Sequence, residues 1–175
     1  MSSKSTETRY GSVAIAIHWA SAAAVILAFA AGTVVANSNP VPTAPLVAHI
    51  VLGLSVLVLT VLRIIWWAVA DKHPSPPKEQ PRWQRMAANA THGLLYVILI
   101  LMASSGIMTL ISSGAIPVLL AGGALPDLSA VIPRIAHGIM SKLLLALFVV
   151  HLGAALYHQF VRQDHLLARM GIGRA

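Results

Sequence analysis

Residues 131–161 read VIPRIAHGIMSKLLLALFVVHLGAALYHQFV, and this stretch decides the fold. From Leu143 to Val161 it carries no Lys, Arg, Asp or Glu. It is long enough for a tilted helix across a bilayer, which needs roughly 20 predominantly apolar residues. Three histidines interrupt it, and His137 and His151 carry the argument. In a helix their spacing corresponds to about 21 Å along the axis and a net rotation of about 40°. Two imidazoles therefore share one face of an apolar helix at two different depths.

Working outward, three more apolar stretches run over residues 12–35, 46–70 and 88–112. The whole chain is 57% hydrophobic and 10% charged, with a mean hydropathy of +0.78. Soluble domains carry about 25% charged residues, so a soluble fold would leave most of this apolar surface facing water. The expected fold is all-α: an integral membrane four-helix bundle with residues 1–175 as a single membrane domain. The first stretch resembles a secretion leader, but its length exceeds the usual apolar region of about 7–15 residues. It also carries His18 and Trp19 near its start, so it is expected to stay as a membrane helix. Pro74, Pro76, Pro77 and Pro81 make the basic loop at 71–86 non-helical, since proline lacks the N–H and restrains its neighbour.

The net charge of +7 raises nucleic acid as a partner. The basic residues, however, lie between the apolar stretches, as headgroups and topology require, and no nucleic-acid motif is present. Membrane lipid is the expected partner. Lys4 and Arg9 precede the first stretch, and Arg63, Lys72, Lys78, Arg82 and Arg85 accompany the second connection. Arg162, Arg169 and Arg174 follow the fourth stretch. Arg134 and Lys142 alone fall on the opposite side, so both termini are expected in the cytoplasm.

That orientation sets the depth of each histidine. His18 and His151 lie toward the cytoplasmic side, and His49 and His137 toward the outer side. Three helices thus supply two inter-helical imidazole pairs. An intramembrane histidine is costly and usually functional. The five acidic residues, Glu7, Asp71, Glu79, Asp127 and Asp164, all stand outside the spans or at their ends, which disfavours a divalent-cation path. Neutral imidazoles facing each other between apolar helices suit haem, whose iron accepts two axial nitrogens and whose propionates reach a basic rim. The chain has no cysteine, which excludes covalent c-type haem attachment and iron–sulfur clusters held here. Gly53, Gly138 and Gly153 lie near the histidines, where a flat ring or a neighbouring helix could approach. His73 and His165 are expected to be solvated, and Trp19, Trp66 and Trp67 to form an interfacial belt.

The chain resembles the bacterial cytochrome b561 family, which includes superoxide oxidase. The resemblance rests on Ile17-His18-Trp19, Ala48-His49-Ile50 with Gly53, and the Pro-rich loop ending Arg82-Trp83-Gln84. It continues through His92-Gly93-Leu94-Leu95-Tyr96, Ala136-His137-Gly138, and His151 through His158 to Asp164 and Arg169-Met170. It implies two haem b groups: one on His18 and His151 toward the cytoplasm, the other on His49 and His137 toward the periplasm. It also implies residence in the bacterial inner membrane, ubiquinone as acceptor, and superoxide or a redox protein as donor. For the superoxide oxidase branch it implies a superoxide:ubiquinone oxidoreductase. Ser104-Ser105-Gly106 departs from the family in lacking the proline often found before that Ser-Gly.

Three local expectations complete this picture. Arg134 and Lys142 flank His137 and could guide superoxide by electrostatic focusing, or pair with haem propionates. His158, with His92, Arg82 and Lys78, could bind a quinone and supply a proton, since imidazole titrates near neutrality. Two other functions fit the same residues: a cytochrome b carrier subunit passing electrons between quinone and a partner redox protein, and a haem-free, histidine-containing transporter.

Overall fold

A computed structural model of the chain describes residues 2–76, 80–123, 125–128 and 131–173. Its long helices are α1 (Ser12–Ala36), α2 (Thr43–Ile65), α3 (Arg82–Ser112) and α5 (Ile132–Tyr157). Two short ones are α4 (Ala115–Ala121) and α6 (Leu166–Arg169). No strand occurs among the described residues. α2 and α5 each run on into a π-helical turn, Trp66–Ala70 and His158–Arg162, so four apolar helices are long enough to cross a membrane. A helix satisfies its own backbone polar groups, as hydrocarbon requires, and this outweighs the many β-branched residues.

Proline and glycine set the boundaries. Pro42 and Pro81 stand in extended conformation just before α2 and α3, and a proline occupies the first turn of α5. There the missing N–H costs nothing. Pro81 therefore starts α3 at Arg82, ahead of the apolar stretch at 88–112. Gly114 (φ 67°) and Gly122 (φ 71°) bracket α4 in the left-handed region, where a side chain would be strained.

α1 packs chiefly on α2 and α3 on α5, while α2 joins the two pairs through α3. α1 buries small residues, Ala14, Ala24 and Ala28, which let helix backbones approach closely in a membrane. Thr60 is buried on α2, and its hydroxyl donates to the Val56 carbonyl at 2.7 Å. Large apolar side chains point outward instead, with Leu120 85% and Val69 and Ile132 each 79% exposed. Apolar surface of that extent belongs against lipid.

Polar contacts gather the N-terminal tail, residues 71–76 and the C-terminal segment at one end of the bundle. Ser5 donates to the Asp71 carboxylate through its backbone N–H (3.0 Å) and its hydroxyl (2.8 Å), and the Trp66 indole donates at 3.2 Å. Arg169 donates to the carbonyls of Thr8 (2.9 Å) and Ser75 (2.7 Å). The Trp19 indole donates to the Met170 carbonyl at 3.0 Å. Burial lifts the Asp71 carboxyl, but the hydrogen bonds from Ser5, the Lys72 N–H and Trp66 together outweigh it. They hold the group below the usual carboxylate range.

Candidate functional site

At the end away from the termini, α2 brings His49 to His137 of α5, with ring centroids 5.8 Å apart. Each ring is gripped the same way. His49 Nδ1 lies 2.8 Å from the Ala28 carbonyl of α1, and His137 Nδ1 lies 3.0 Å from the Met102 carbonyl of α3. A carbonyl only accepts, so in each ring Nδ1 carries the hydrogen and Nε2 keeps a lone pair. One turn beyond each carbonyl stands a glycine. A Cβ on Gly32 would come within 2.7 Å of His49 Cε1, and one on Gly106 within 3.1 Å of His137 Cε1. Ser105 adds its hydroxyl oxygen 3.2 Å from His137 Nδ1. The departure at Ser104-Ser105-Gly106 thus falls on the cradle of His137.

Toward the termini, α1 and α5 bring His18 to His151, with centroids 6.2 Å apart. His92 of α3 joins them, 5.3 Å from His151. Arg63 Nη1 lies 2.9 Å from His18 Nδ1. Its guanidinium also sits over the Tyr96 ring, 5.9 Å from the centroid, while its Nε is buried without a hydrogen-bond partner. Arg63 was grouped above with the second connection. Because the helix runs on through Ala70, it lies about 10 Å inside the span instead. A guanidinium only donates, so His18 Nδ1 accepts and its ring proton sits on Nε2. This tautomer is the reverse of that at the other couple.

The remaining candidates scatter. His158 is buried, with Nδ1 2.5 Å from Asp164 Oδ2. It stands about 10 Å along α5 from His151, so His92 joins the imidazole couple and not His158. Arg82 is exposed at the start of α3, and Lys78 lies outside the described residues. Arg134 folds along its own helix, with Nη1 3.5 Å from where a Cβ on Gly138 would stand. Lys142 is exposed, about 12 Å further along the axis. A Cβ on Gly53 or Gly153 meets nothing within 4 Å. His165 is exposed; His73 is exposed too but stacks on Trp67 at 3.9 Å. Burial and the nearby Arg63 charge hold His73 below the ordinary histidine range, against the opposing pull of Asp71.

Both couples fit a metal held between two imidazoles. Bonds of about 2.0 Å on each side, plus about 1.1 Å from nitrogen to ring centre, put the centroids about 6.2 Å apart. The 6.2 Å between His18 and His151 meets that value, and the 5.8 Å between His49 and His137 falls slightly short of it. Nδ1–H donation to a backbone carbonyl is also the usual way a ligating histidine is oriented.

Four apolar spans with facing imidazoles at two depths match the architecture of membrane b-type cytochromes. The model of the prokaryotic cytochrome b561 family covers residues 9–173, and the chain belongs to that family. It is 30% identical over 175 aligned residues to cytochrome b562 of Cereibacter sphaeroides, covering 94% of this chain and 96% of that one. It is 31% identical over 112 residues to cytochrome b561 homolog 2 of Escherichia coli K12, covering 62% and 58% respectively. Membership makes the chain a multi-pass membrane protein that carries electrons and binds haem b.

Proposed function

We propose that the chain is a two-haem relay that oxidises superoxide at the periplasmic face of the inner membrane and reduces ubiquinone within it. The observation that carries this proposal is the pair of imidazole couples, at 5.8 and 6.2 Å, at two levels of one bundle. His49 and His137 hold the outer haem, and His18 and His151 the inner one. The excess of Lys and Arg at the terminal end puts that end in the cytoplasm. Bound haem supplies a one-electron carrier at each level. Two imidazoles per iron leave no coordination position for dioxygen, which favours transfer over activation.

The chain's own residues do the rest. Ala28 and Met102 carbonyls keep Nδ1 of His49 and His137 protonated, so Nε2 is the ligating atom. Arg134 and, further in, Lys142 are the basic residues of the outer side and favour approach of an anion. Each superoxide gives up one electron and leaves as dioxygen; ubiquinone takes two electrons and two protons. At the cytoplasmic side His158 donates Nδ1–H to Asp164, and in its doubly protonated form Nε2–H donates to a quinone oxygen, with Arg82 and Lys78 of the basic loop as the further quinone candidates.

Stopped-flow mixing with superoxide tests the proposal. The haems should be reduced within the mixing experiment, and ubiquinol should form at one per two superoxides. His158→Ala should keep both haems yet slow ubiquinol formation about tenfold or more, the usual range for lost general acid catalysis being about 10²–10⁴. Haem reduction by a redox protein but not by superoxide would assign the chain to electron carriage between partners instead.

A further inference from the structure

We propose that Arg63 anchors the propionate carboxylates of the inner haem, an assignment that rests on the two-haem proposal above. A guanidinium inside a membrane span needs an anionic or strongly accepting partner, because an unpaired charge away from water is costly. Arg63 has Nε buried without a partner, one Nη on the His18 ring, and the Tyr96 face beneath it. The carboxylate nearest in sequence, Asp71, is already engaged by Ser5, Trp66 and the Lys72 N–H.

Ligation makes the present contact untenable. For His18 Nε2 to give a lone pair to iron, the ring proton must stand on Nδ1. Nδ1–H and the guanidinium would then be two donors facing each other at 2.9 Å. With His18 ligating through Nε2, Arg63 would turn from Nδ1 to the propionate carboxylates, whose charge its guanidinium complements.

Redox titration of the purified holoprotein decides the matter, with haem per chain measured first. A His49→Ala background retains the inner haem alone. There, Arg63→Gln removes a positive charge beside the haem and should disfavour its reduced form. Its reduction equilibrium should fall about tenfold, which is about 59 mV for one electron. Arg63→Lys keeps the charge and should shift it far less. An inner haem that stays bound with unchanged potential in Arg63→Gln overturns the anchor while leaving the two-haem proposal intact. If Arg63→Gln sheds the haem, Arg63→Lys decides: retention supports a charge anchor, and loss overturns it. Absence of inner haem in the unsubstituted chain overturns both.

Discussion

The two imidazole couples have nearly the same span but opposite surroundings. The outer couple is built from backbone: a carbonyl accepts from each Nδ1, and a glycine one turn on makes room for each ring. The inner couple is built from charge and side chains: a third histidine stands beside it, and a guanidinium occupies Nδ1 of His18. A carbonyl fixed in a helix cannot turn away, so the outer tautomer is set before any ligand binds. An arginine side chain can, so no fixed backbone group sets the tautomer of His18. The outer site is preorganised and the inner one is adjustable.

Removing one ligand on each side should expose this contrast most strongly. His49→Ala leaves His137 with no second imidazole, and haem should fall by one per chain. His18→Ala leaves His151 with His92 at 5.3 Å, so the inner haem should persist in part, with an altered spectrum. Equal and complete loss in both variants would erase the asymmetry.

The next effect comes from filling the cradles. Gly32→Ala places a methyl 2.7 Å from His49, and Gly106→Ala places one 3.1 Å from His137. The first must displace a ring, and the second needs a shift of a few tenths of an ångström. Outer haem content should drop markedly in the first and slightly in the second, with the inner haem untouched. Gly53→Ala sharpens the result, because a methyl there meets no protein atom within 4 Å. Any haem loss in that variant reports contact with the ring itself.

The four spans could be read from hydropathy, and the couples from the fourteen-residue interval between His137 and His151, because helical periodicity converts spacing into depth and face. The cradles could not. Gly32 and Gly106 look like ordinary small residues of membrane helices until a partner histidine from another helix arrives beside them. Arg63 was hidden for a different reason: Trp66 and Trp67 resemble an interfacial end, whereas the helix continues past them to Ala70. Trp19, assigned to an interfacial belt, also ties α1 to the C-terminal segment.

A smaller effect should follow from Ser105→Ala. The hydroxyl is the second partner of His137 Nδ1, behind the Met102 carbonyl. A neutral hydrogen bond contributes about 0.5–1.5 kcal/mol net. Outer haem affinity should therefore weaken by no more than about tenfold, read by haem retention during dilution. A larger loss would show that the serine, not the carbonyl, fixes the tautomer.

The smallest effect on the couples should come from Asp71, which ties the tail at the terminal end. Its carboxyl is lowered from 3.8 by hydrogen bonds that outweigh burial. Its contribution is therefore complete above about pH 4 and lost as pH falls through the lowered value. Asp71→Asn should speed proteolysis of the tail several-fold at pH 7 while haem content stays unchanged. Accelerated cleavage of the unsubstituted chain already between pH 7 and 5 would contradict that assignment.

Haem per chain, counted spectroscopically in the purified protein and in the His137→Ala, His151→Ala and doubly substituted variants, tests the central claim most directly. Two facing couples predict two haems in the parent, one in each single variant and none in the double. A parent with no b-type signal, or a signal that survives loss of both histidines, would contradict it.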